Sequence, residues 1–271
     1  LNALNAFADA RPGDVIQFEC GFFDLTQTML LSNTEAITIQ GCSDNKDDTV
    51  LSFRNSSGVE GILMDSVRGV TIQNLVVADS DGNGFELRSV DHATLRNVHA
   101  YWSSGGGRFS PDPLTADNYQ DGRLHIPCTD PPFLNPEVPE NQGNPDSTSP
   151  DYTPSDGAGR YGIYPVKSIN ILIENSESTG ASDAGIYVGQ SSNSIIRNNR
   201  AVYNVFGFEI ENVQGGEYSG NLAECNTGGF LVYDLDNLTQ YGSKTRVFNN
   251  ISRNNNTYNF TEGGIVSQIP P

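Results

Sequence analysis

The feature that most constrains this chain is a short glycine-led pattern that recurs at an almost constant interval. It occurs as Gly61-Ile-Leu-Met-Asp65, Gly84-Phe-Glu-Leu-Arg88, Gly162-Ile-Tyr-Pro-Val166, Gly185-Ile-Tyr-Val-Gly189, Gly207-Phe-Glu-Ile-Glu211 and Gly229-Phe-Leu-Val-Tyr233. Successive glycines are separated by 23, 78, 23, 22 and 22 residues, and 78 is one 23-residue step plus an insertion of 55. Such a period indicates a solenoid, in which each repeat forms one coil and is stabilised by its neighbours.

Each repeat predicts a strand, because its first and third residues after glycine are apolar and therefore share one face. Stacked coils would then form a parallel sheet with continuous apolar columns inside: Ile62/Met64, Phe85/Leu87, Ile163/Pro165, Ile186/Val188, Phe208/Ile210 and Phe230/Val232.

A second strand follows in each coil, at 70–73, 93–96, 171–174 and 194–197, and an asparagine ends it. Asparagine tolerates the left-handed backbone of a tight turn, and stacked amides can form hydrogen bonds between coils. We therefore predict a structural asparagine ladder through Asn74, Asn97, Asn175, Asn198, Asn221 and Asn249.

The repeats predict an all-β solenoid that forms one domain over residues 1–271. Residues 1–10 have apolar side chains at helical spacing before a Pro-Gly breaker, so we expect a short helix that caps the first coil. Residues 103–160 lack the alternating pattern and contain most of the prolines. We expect this long irregular insertion to fold over the flank of the solenoid as a lid or wall.

The formal charge of −18 argues against nucleic-acid binding, because it would repel phosphate backbones. No apolar run approaches the roughly 20 residues that span a bilayer. The acidity is explained either by the solubility of an exported protein or by cation binding.

Four cysteines lack the paired spacing of zinc sites: Cys20, Cys42, Cys128 and Cys225. Cys20 and Cys42 are 22 residues apart, about one coil, so they could form a disulfide between neighbouring coils if the chain is exported. Cys128 and Cys225 would then remain as the second pair, and free buried thiols are the alternative.

The glycine-led repeats, the asparagine-ended strands and the segment Arg11-Pro-Gly-Asp-Val-Ile-Gln-Phe18 together resemble right-handed parallel β-helix proteins of the pectate-lyase-like superfamily. Three segments are similar to bacterial exported proteins known only as parallel β-helix repeat proteins: Tyr161-Gly-Ile-Tyr-Pro-Val166, Ala181-Ser-Asp-Ala-Gly-Ile-Tyr-Val-Gly-Gln190 and Glu209-Ile-Glu-Asn212. The resemblance implies a location outside the cytoplasm, in the periplasm, at the cell surface or secreted.

The superfamily resemblance also implies carbohydrate, usually a polyuronate, bound along the outside of one parallel sheet. It does not imply one reaction, because lyases, hydrolases, esterases, epimerases and binding proteins share this scaffold. The Asn-Thr-Asp and Gly-His-Gly patterns of polygalacturonases are absent, as is the Asp-Pro-His-Asp pattern of mannuronan epimerases.

The outward positions of the first strand, the second and fourth residues after glycine, define the surface that a polymer would meet. Glu209 and Glu211 are two residues apart and point the same way, with about 7 Å between their Cα atoms. They are candidate catalytic residues for acid catalysis or could share a calcium ion, and the alternative is a merely solvated charged face.

Tyrosine and arginine complete the candidate site. Tyr164 and Tyr187 are either stacking platforms for a sugar or packing residues, and Tyr187 is also a candidate catalytic group. Arg88 could neutralise a substrate carboxylate or pair with Glu86 or Asp65. Asp183, Tyr233 and Asp234 are further candidates for substrate binding, although Asp183 also suits a turn.

Metal ligands are hard to find in the sequence, and we identify no particular metal site. His92, His99 and His125 do not share a column of the repeat. Asp79, Asp81 and Asn83 resemble a fragment of a calcium loop but lack its other ligands, so a polar turn explains them better.

These observations predict an extracytoplasmic β-helix protein that binds or processes a polysaccharide under the 103–160 insertion. If it is an enzyme, the expected class is a polysaccharide lyase or epimerase, with no cofactor except possible calcium. The acidic face disfavours an anionic polymer, so a neutral glycan or a calcium bridge would be required. The alternative is a non-catalytic structural or protein-interaction module at the cell surface.

Overall fold

The computed structural model describes residues 3–103, 114–120, 124–125, 128 and 159–255, and these residues form the predicted all-β parallel β-helix. In chain order the elements are α1 (Ala3–Ala8), β1 (Val15–Gln17), β2 (Gly21–Asp24), β3 (Met29–Ser32), β4 (Thr38–Gln40), a 3-10 turn (Lys46–Asp48), β5 (Thr49–Ser52), β6 (Ile62–Asp65), β7 (Arg68–Ala78), β8 (Phe85–Arg88), β9 (Asp91–Tyr101), β10 (Ile163–Val166), β11 (Ile169–Glu174), β12 (Glu177–Thr179), β13 (Ala184–Gly189), β14 (Ile195–Arg197), β15 (Arg200–Val202), β16 (Phe206–Glu211), β17 (Glu217–Ser219), β18 (Leu222–Glu224), β19 (Gly228–Tyr233), β20 (Arg246–Phe248) and β21 (Ile251–Arg253).

The glycine-led repeats form the seven-stranded sheet, which we call sheet 1, with the strand order β19-β16-β13-β10-β8-β6-β3. All its pairs are parallel, and β8 pairs with β10 across the insertion in unbroken register, with Glu86 opposite Tyr164. The predicted inner residues Ile62, Phe85 and Ile186 are all buried, whereas Val232 of the last repeat is 56% exposed, because β19 is the edge strand of sheet 1 among the described residues.

Each coil has a third strand that the sequence analysis did not predict. The other sheet contains fourteen strands because β7 and β9 bend through a corner and pair on both sides of it. We call the two resulting faces sheet 2 (β1, β4, β7, β9, β11, β14, β17, β20) and sheet 3 (β2, β5, β7, β9, β12, β15, β18, β21). Inside sheet 3 the residues become smaller towards the C-terminal coils, from Leu51 and Val77 to Ala201 and Ala223.

The asparagines form two kinds of column rather than one. Asn74, Asn97, Asn175, Asn198 and Asn249 have positive φ at the corner, as a tight turn requires. The inclusion of Asn221 in this series was wrong, because Gly220 occupies the corner there and its N–H donates to the carbonyl of Asn249.

Asn221 instead belongs to a column that points into the coil. Asn199 donates to the Oδ1 of Asn221 at 3.0 Å, and Asn221 donates to the Oδ1 of Asn250 at 3.0 Å. A parallel column joins Asn204 to Asn226 and Asn226 to Asn255. These amides also bind backbone groups of the turns, so they supply partners that buried backbone atoms would otherwise lack.

Both possible disulfides are present. Cys20 and Cys42 join neighbouring coils, and Cys128 and Cys225 join the 103–160 segment to the end of β18 across 97 residues. At the N-terminal end, Phe7 of helix α1 is buried in the core.

The described part of the 103–160 segment lies on the outer face of sheet 3. Leu114 and Leu124 pack there against Val50, Val76 and Tyr101. His125 contacts Asp47 at 2.5 Å through its Nε2 atom and Glu177 at 4.0 Å through its Nδ1 atom. Most of the segment, including residues 129–158, lies outside the described residues.

Candidate functional site

The outer face of sheet 1 gathers most of the candidate residues, because alternate residues of its parallel strands point outward in register. One row along the coil axis runs through Glu86, Tyr164, Tyr187 and Glu209. The adjacent row runs through Asp65, Arg88, Val166, Gly189, Glu211 and Tyr233.

A stack of three tyrosines occupies the middle of this face. The ring centroids of Tyr164 and Tyr187 are 4.6 Å apart with an interplanar angle of 18°, and Tyr161 stacks on Tyr164 at 4.6 Å. Tyr187 is only 4% exposed, whereas Tyr161 and Tyr164 are half-buried. Tyr187 is therefore a packing residue within the stack, and Tyr161 and Tyr164 present the accessible ring surface.

Gly189 allows Tyr187 to lie flat against its own strand. A Cβ atom at position 189 would lie 2.0 Å from the hydroxyl oxygen of Tyr187. That hydroxyl is hydrogen-bonded to Glu211, and burial raises the pKa of Tyr187, so the phenol stays protonated and donates. Burial likewise raises the pKa of Tyr164, to about 12.

Two nearly buried carboxyl groups lie beside the stack, and one phenol separates them. The hydroxyl oxygen of Tyr233 is 2.5 Å from Oε1 of Glu209 and 2.9 Å from Oε2 of Glu211. Glu209 and Glu211 are 6% and 7% exposed. The second carboxyl oxygen of Glu209, Oε2, is buried and has no hydrogen-bond partner.

Glu209, Glu211 and Tyr233, which we call the Glu209 cluster, can hold one additional proton. A phenol has one O–H and can donate to only one of the two carboxyl groups. Both contacts are hydrogen bonds if protonated Glu209 donates to Tyr233 and Tyr233 donates to Glu211. Burial raises the pKa of Glu209 to about 7, and the negative charges of Asp183 and Glu211 act in the same direction. Glu209 can therefore gain or lose a proton near neutral pH.

Asp183 lies at the same end of the face. The hydroxyl of Tyr161 is hydrogen-bonded to the Asp183 carboxylate, and burial raises the pKa of Asp183. Asp183 is thus bonded to the tyrosine stack through Tyr161, and its charge also raises the pKa of Glu209.

Arg88 is already paired within the protein. Its Nη2 atom lies 2.5 Å from Oε1 of Glu86, and its Nη1 atom lies 4.0 Å from Asp65. Asn83 donates to the other oxygen of Glu86, and burial raises the pKa of the adjacent Glu60. Arg88 therefore has carboxylate partners before any substrate arrives.

Asp234 lies apart from the cluster. It is exposed, and both of its carboxylate oxygens accept from the backbone N–H of Gly242, at 3.1 and 3.0 Å, which holds the loop after β19. Tyr161 and Glu60 were missed by the sequence reasoning because they precede the glycine of their repeat. The Tyr-Gly-Ile-Tyr spacing of Tyr161 and Tyr164 was the available signal.

The other polar candidates have structural roles. Asp79 is buried, and its carboxylate accepts hydrogen bonds from Ser103 and Arg54. His92 contacts its neighbour Asp91, and the Nε2 atom of buried His99 is 2.9 Å from the hydroxyl of Thr179. The polar turn at Asp79 therefore anchors the start of the 103–160 segment.

Residues 154–267 match a family model described as periplasmic copper-binding protein (NosD). The predicted location outside the cytoplasm agrees with that description and with the two disulfides. No curated protein matches the chain. No helix among the described residues is long and apolar enough to cross a membrane.

Three solved structures are similar to the chain. An alginate lyase from Paenibacillus sp. str. FPU-7 is 13% identical, with 94% of this chain and 96% of that chain covered and a TM-score of 0.34. The PL6 family alginate lyase AlyGC is 13% identical, with 92% and 38% covered and a TM-score of 0.30. Geobacillus virus E2 ORF18 is 8% identical, with 92% and 57% covered and a TM-score of 0.30.

The side chains of this chain do not fit a copper site. Copper is bound by imidazole, thiolate and thioether ligands. The sequence has three histidines, four cysteines and two methionines. All four cysteines are in disulfides, and Met29 and Met64 are buried inside the coil. In the described part of the chain, the only group of three potential ligands consists of Cys20, Cys42 and Asp48, and it includes a disulfide.

Proposed function

We propose that this extracytoplasmic β-helix protein binds or processes a polysaccharide on the outer face of sheet 1. The observation that carries the proposal is the contact between the tyrosine stack and the Glu209 cluster, in which a buried carboxyl oxygen has no partner. Buried polar atoms are normally hydrogen-bonded, and an unsatisfied one calls for an explanation, of which a catalytic or binding role is one.

The parts of the face have complementary roles. The half-buried rings of Tyr161 and Tyr164 offer an apolar surface for the face of a sugar ring, and aromatic side chains combine such surfaces with polar tips. Glu209 offers a carboxyl group that is partly protonated near pH 7, which suits hydrogen bonding to a sugar hydroxyl or general acid–base catalysis. A lyase or epimerase would use Glu209 as its acid or base, with Tyr187 and Tyr233 holding Glu211 in place.

The test is to titrate the protein with neutral and acidic polysaccharides, while chain length and the ultraviolet absorbance of new double bonds are followed. Tyr164→Ala should weaken binding at least tenfold, because the accessible ring is removed. Glu209→Gln should preserve the fold and abolish turnover if Glu209 is the acid or base. Glu35→Gln, an exposed residue away from this face, is the matched control. Unchanged binding and turnover in both site variants would remove this face from consideration.

An interaction module is the second candidate, because Arg88 is already paired with Glu86 and Asp65. An arginine that is already paired is not kept available for the carboxylate of a substrate. This module would be supported if a stoichiometric protein partner co-purifies with the wild type and with Glu35→Gln but not with Tyr164→Ala. No polysaccharide of the panel should then bind or be processed.

A further inference from the structure

The charges at the tyrosine stack and the Glu209 cluster restrict the kind of polymer that can bind there. The carboxyl groups of Glu209, Glu211 and Asp183 lie together at one end of the stack. The negative charges of Glu86 and Glu211 both raise the pKa of Tyr164, which lies beside Glu86 in its row, while Glu211 is in the adjacent row. A polymer on the stack would therefore meet carboxyl groups on both sides.

Arg88 cannot offset these charges without losing its own partners, and Arg160, beside Tyr161, already lies near the carboxyl group of Glu60. Arg88 holds Glu86 at 2.5 Å and Asp65 at 4.0 Å, and withdrawing it would leave the 3% exposed Glu86 without its cation. An uncompensated buried charge is strongly destabilising. Between residues 129 and 158 the sequence contains no lysine or arginine, and its charged residues there are Asp130, Glu137, Glu140, Asp146, Asp151 and Asp156.

A bridging calcium ion does not fit this face either. Calcium takes six to eight oxygen ligands, usually from several carboxylates. Among the described residues, no three carboxyl groups of the face bring one oxygen each within 4.8 Å of one another. Tyr233 also occupies the space between Glu209 and Glu211.

Resting on the proposed function, we infer that the polysaccharide bound here is uncharged and is not a polyuronate. The partnerless Oε2 atom of Glu209 is then the acceptor or donor for a sugar hydroxyl, which needs no compensating cation. The approach of a uronate carboxylate would instead place a further negative charge beside Glu211, Asp183 and the partly ionised Glu209 in a poorly hydrated site.

The test compares polymers that differ only in charge. Polygalacturonate and alginate would each be titrated beside their fully esterified forms, together with a neutral glucan and a mannan, at low and high salt and with or without a chelator. We expect at least one uncharged polymer to bind, every acid form to bind ~tenfold more weakly than its ester or not at all, and the chelator to have no effect. The difference should shrink at high salt, because salt screens the repulsion.

A double variant identifies the cause of the discrimination. Glu209→Gln with Glu211→Gln removes the charge of Glu211 and the titratable charge of Glu209 at nearly constant shape. The double variant should reduce the preference for the ester, whereas Glu35→Gln should leave it unchanged. Tighter binding of an acid form than of its ester would overturn the inference and leave the proposed function standing. Calcium-dependent binding of an acid form would also overturn the inference and leave the proposed function standing. Silence across all polymers would overturn the proposed function itself, and with it the inference.

Discussion

The raised pKa of Glu209 predicts that this residue makes the protein less stable as the pH rises. Its pKa rises from 4.5 to about 7 in the folded protein. Each unit corresponds to about 1.4 kcal/mol, so the folded state favours protonated Glu209 by about 3 kcal/mol. Because the folded pKa is the higher one, this contribution is complete below about pH 4.5 and is lost as the pH rises through about 7.

Glu209→Gln removes this dependence, because the amide cannot ionise and can still donate a hydrogen bond to Tyr233. The free energy of unfolding of the variant, compared with that of the wild type, should be about 3 kcal/mol higher at pH 8.5 than at pH 4. Urea unfolding at both pH values, with the disulfides intact and reversibility checked, measures the difference. Glu35→Gln is the control and should show no such gain. An equal difference between Glu209→Gln and the wild type at both pH values would refute the reasoning.

Three further predictions concern the fold around the site. Replacing the Cys128–Cys225 disulfide by serines should lower the free energy of unfolding by about 4–5 kcal/mol, and replacing the Cys20–Cys42 disulfide should lower it by about 3 kcal/mol. The first loss is larger because Cys128–Cys225 closes the longer loop. The reverse order in urea titrations would contradict this prediction. Asn204→Ala should lower the free energy of unfolding by about 2–4 kcal/mol in the same assay, because the buried backbone groups of Ala181 and Ser178 lose their hydrogen-bond partner. A loss below about 1 kcal/mol would argue against a stabilising role of the inner asparagine column. Gly189→Ala should displace Tyr187 and alter the near-ultraviolet circular dichroism, and an unchanged spectrum would show that the ring does not lie on this glycine.

The coil period and the interior of sheet 1 could be predicted because both depend on a local pattern. The alternation of apolar residues along a strand turns Ile62 and Phe85 inward, and this orientation does not depend on the residues of the neighbouring coils. The third strand was missed because its inner residues in the later coils are small or polar, such as Ser178 and Ala201, and so give no apolar alternation. Asn221 was assigned to the wrong column because adjacent asparagines, such as Asn198 and Asn199, point to opposite sides of the corner.

The candidate site was only partly predictable, because its properties depend on contacts between coils. The sequence places Glu209 and Glu211 on one side of a strand, but it does not show that Tyr233 bridges them or that both are nearly buried. The pairing of Arg88 was one of two alternatives left open, and only the distance to Glu86 decides between them.

The uninterrupted pairing of β8 with β10 and of β9 with β11 means that the chain leaves the coil stack and returns to it on the next rung. The excursion of residues 103–160 therefore adds no displacement along the axis, and the entropic cost of closing such a loop grows only slowly with its length. Segments of different length at this position would keep the strand pairs β8–β10 and β9–β11, provided that Cys128 and the packing of Leu114 and Leu124 on sheet 3 are retained.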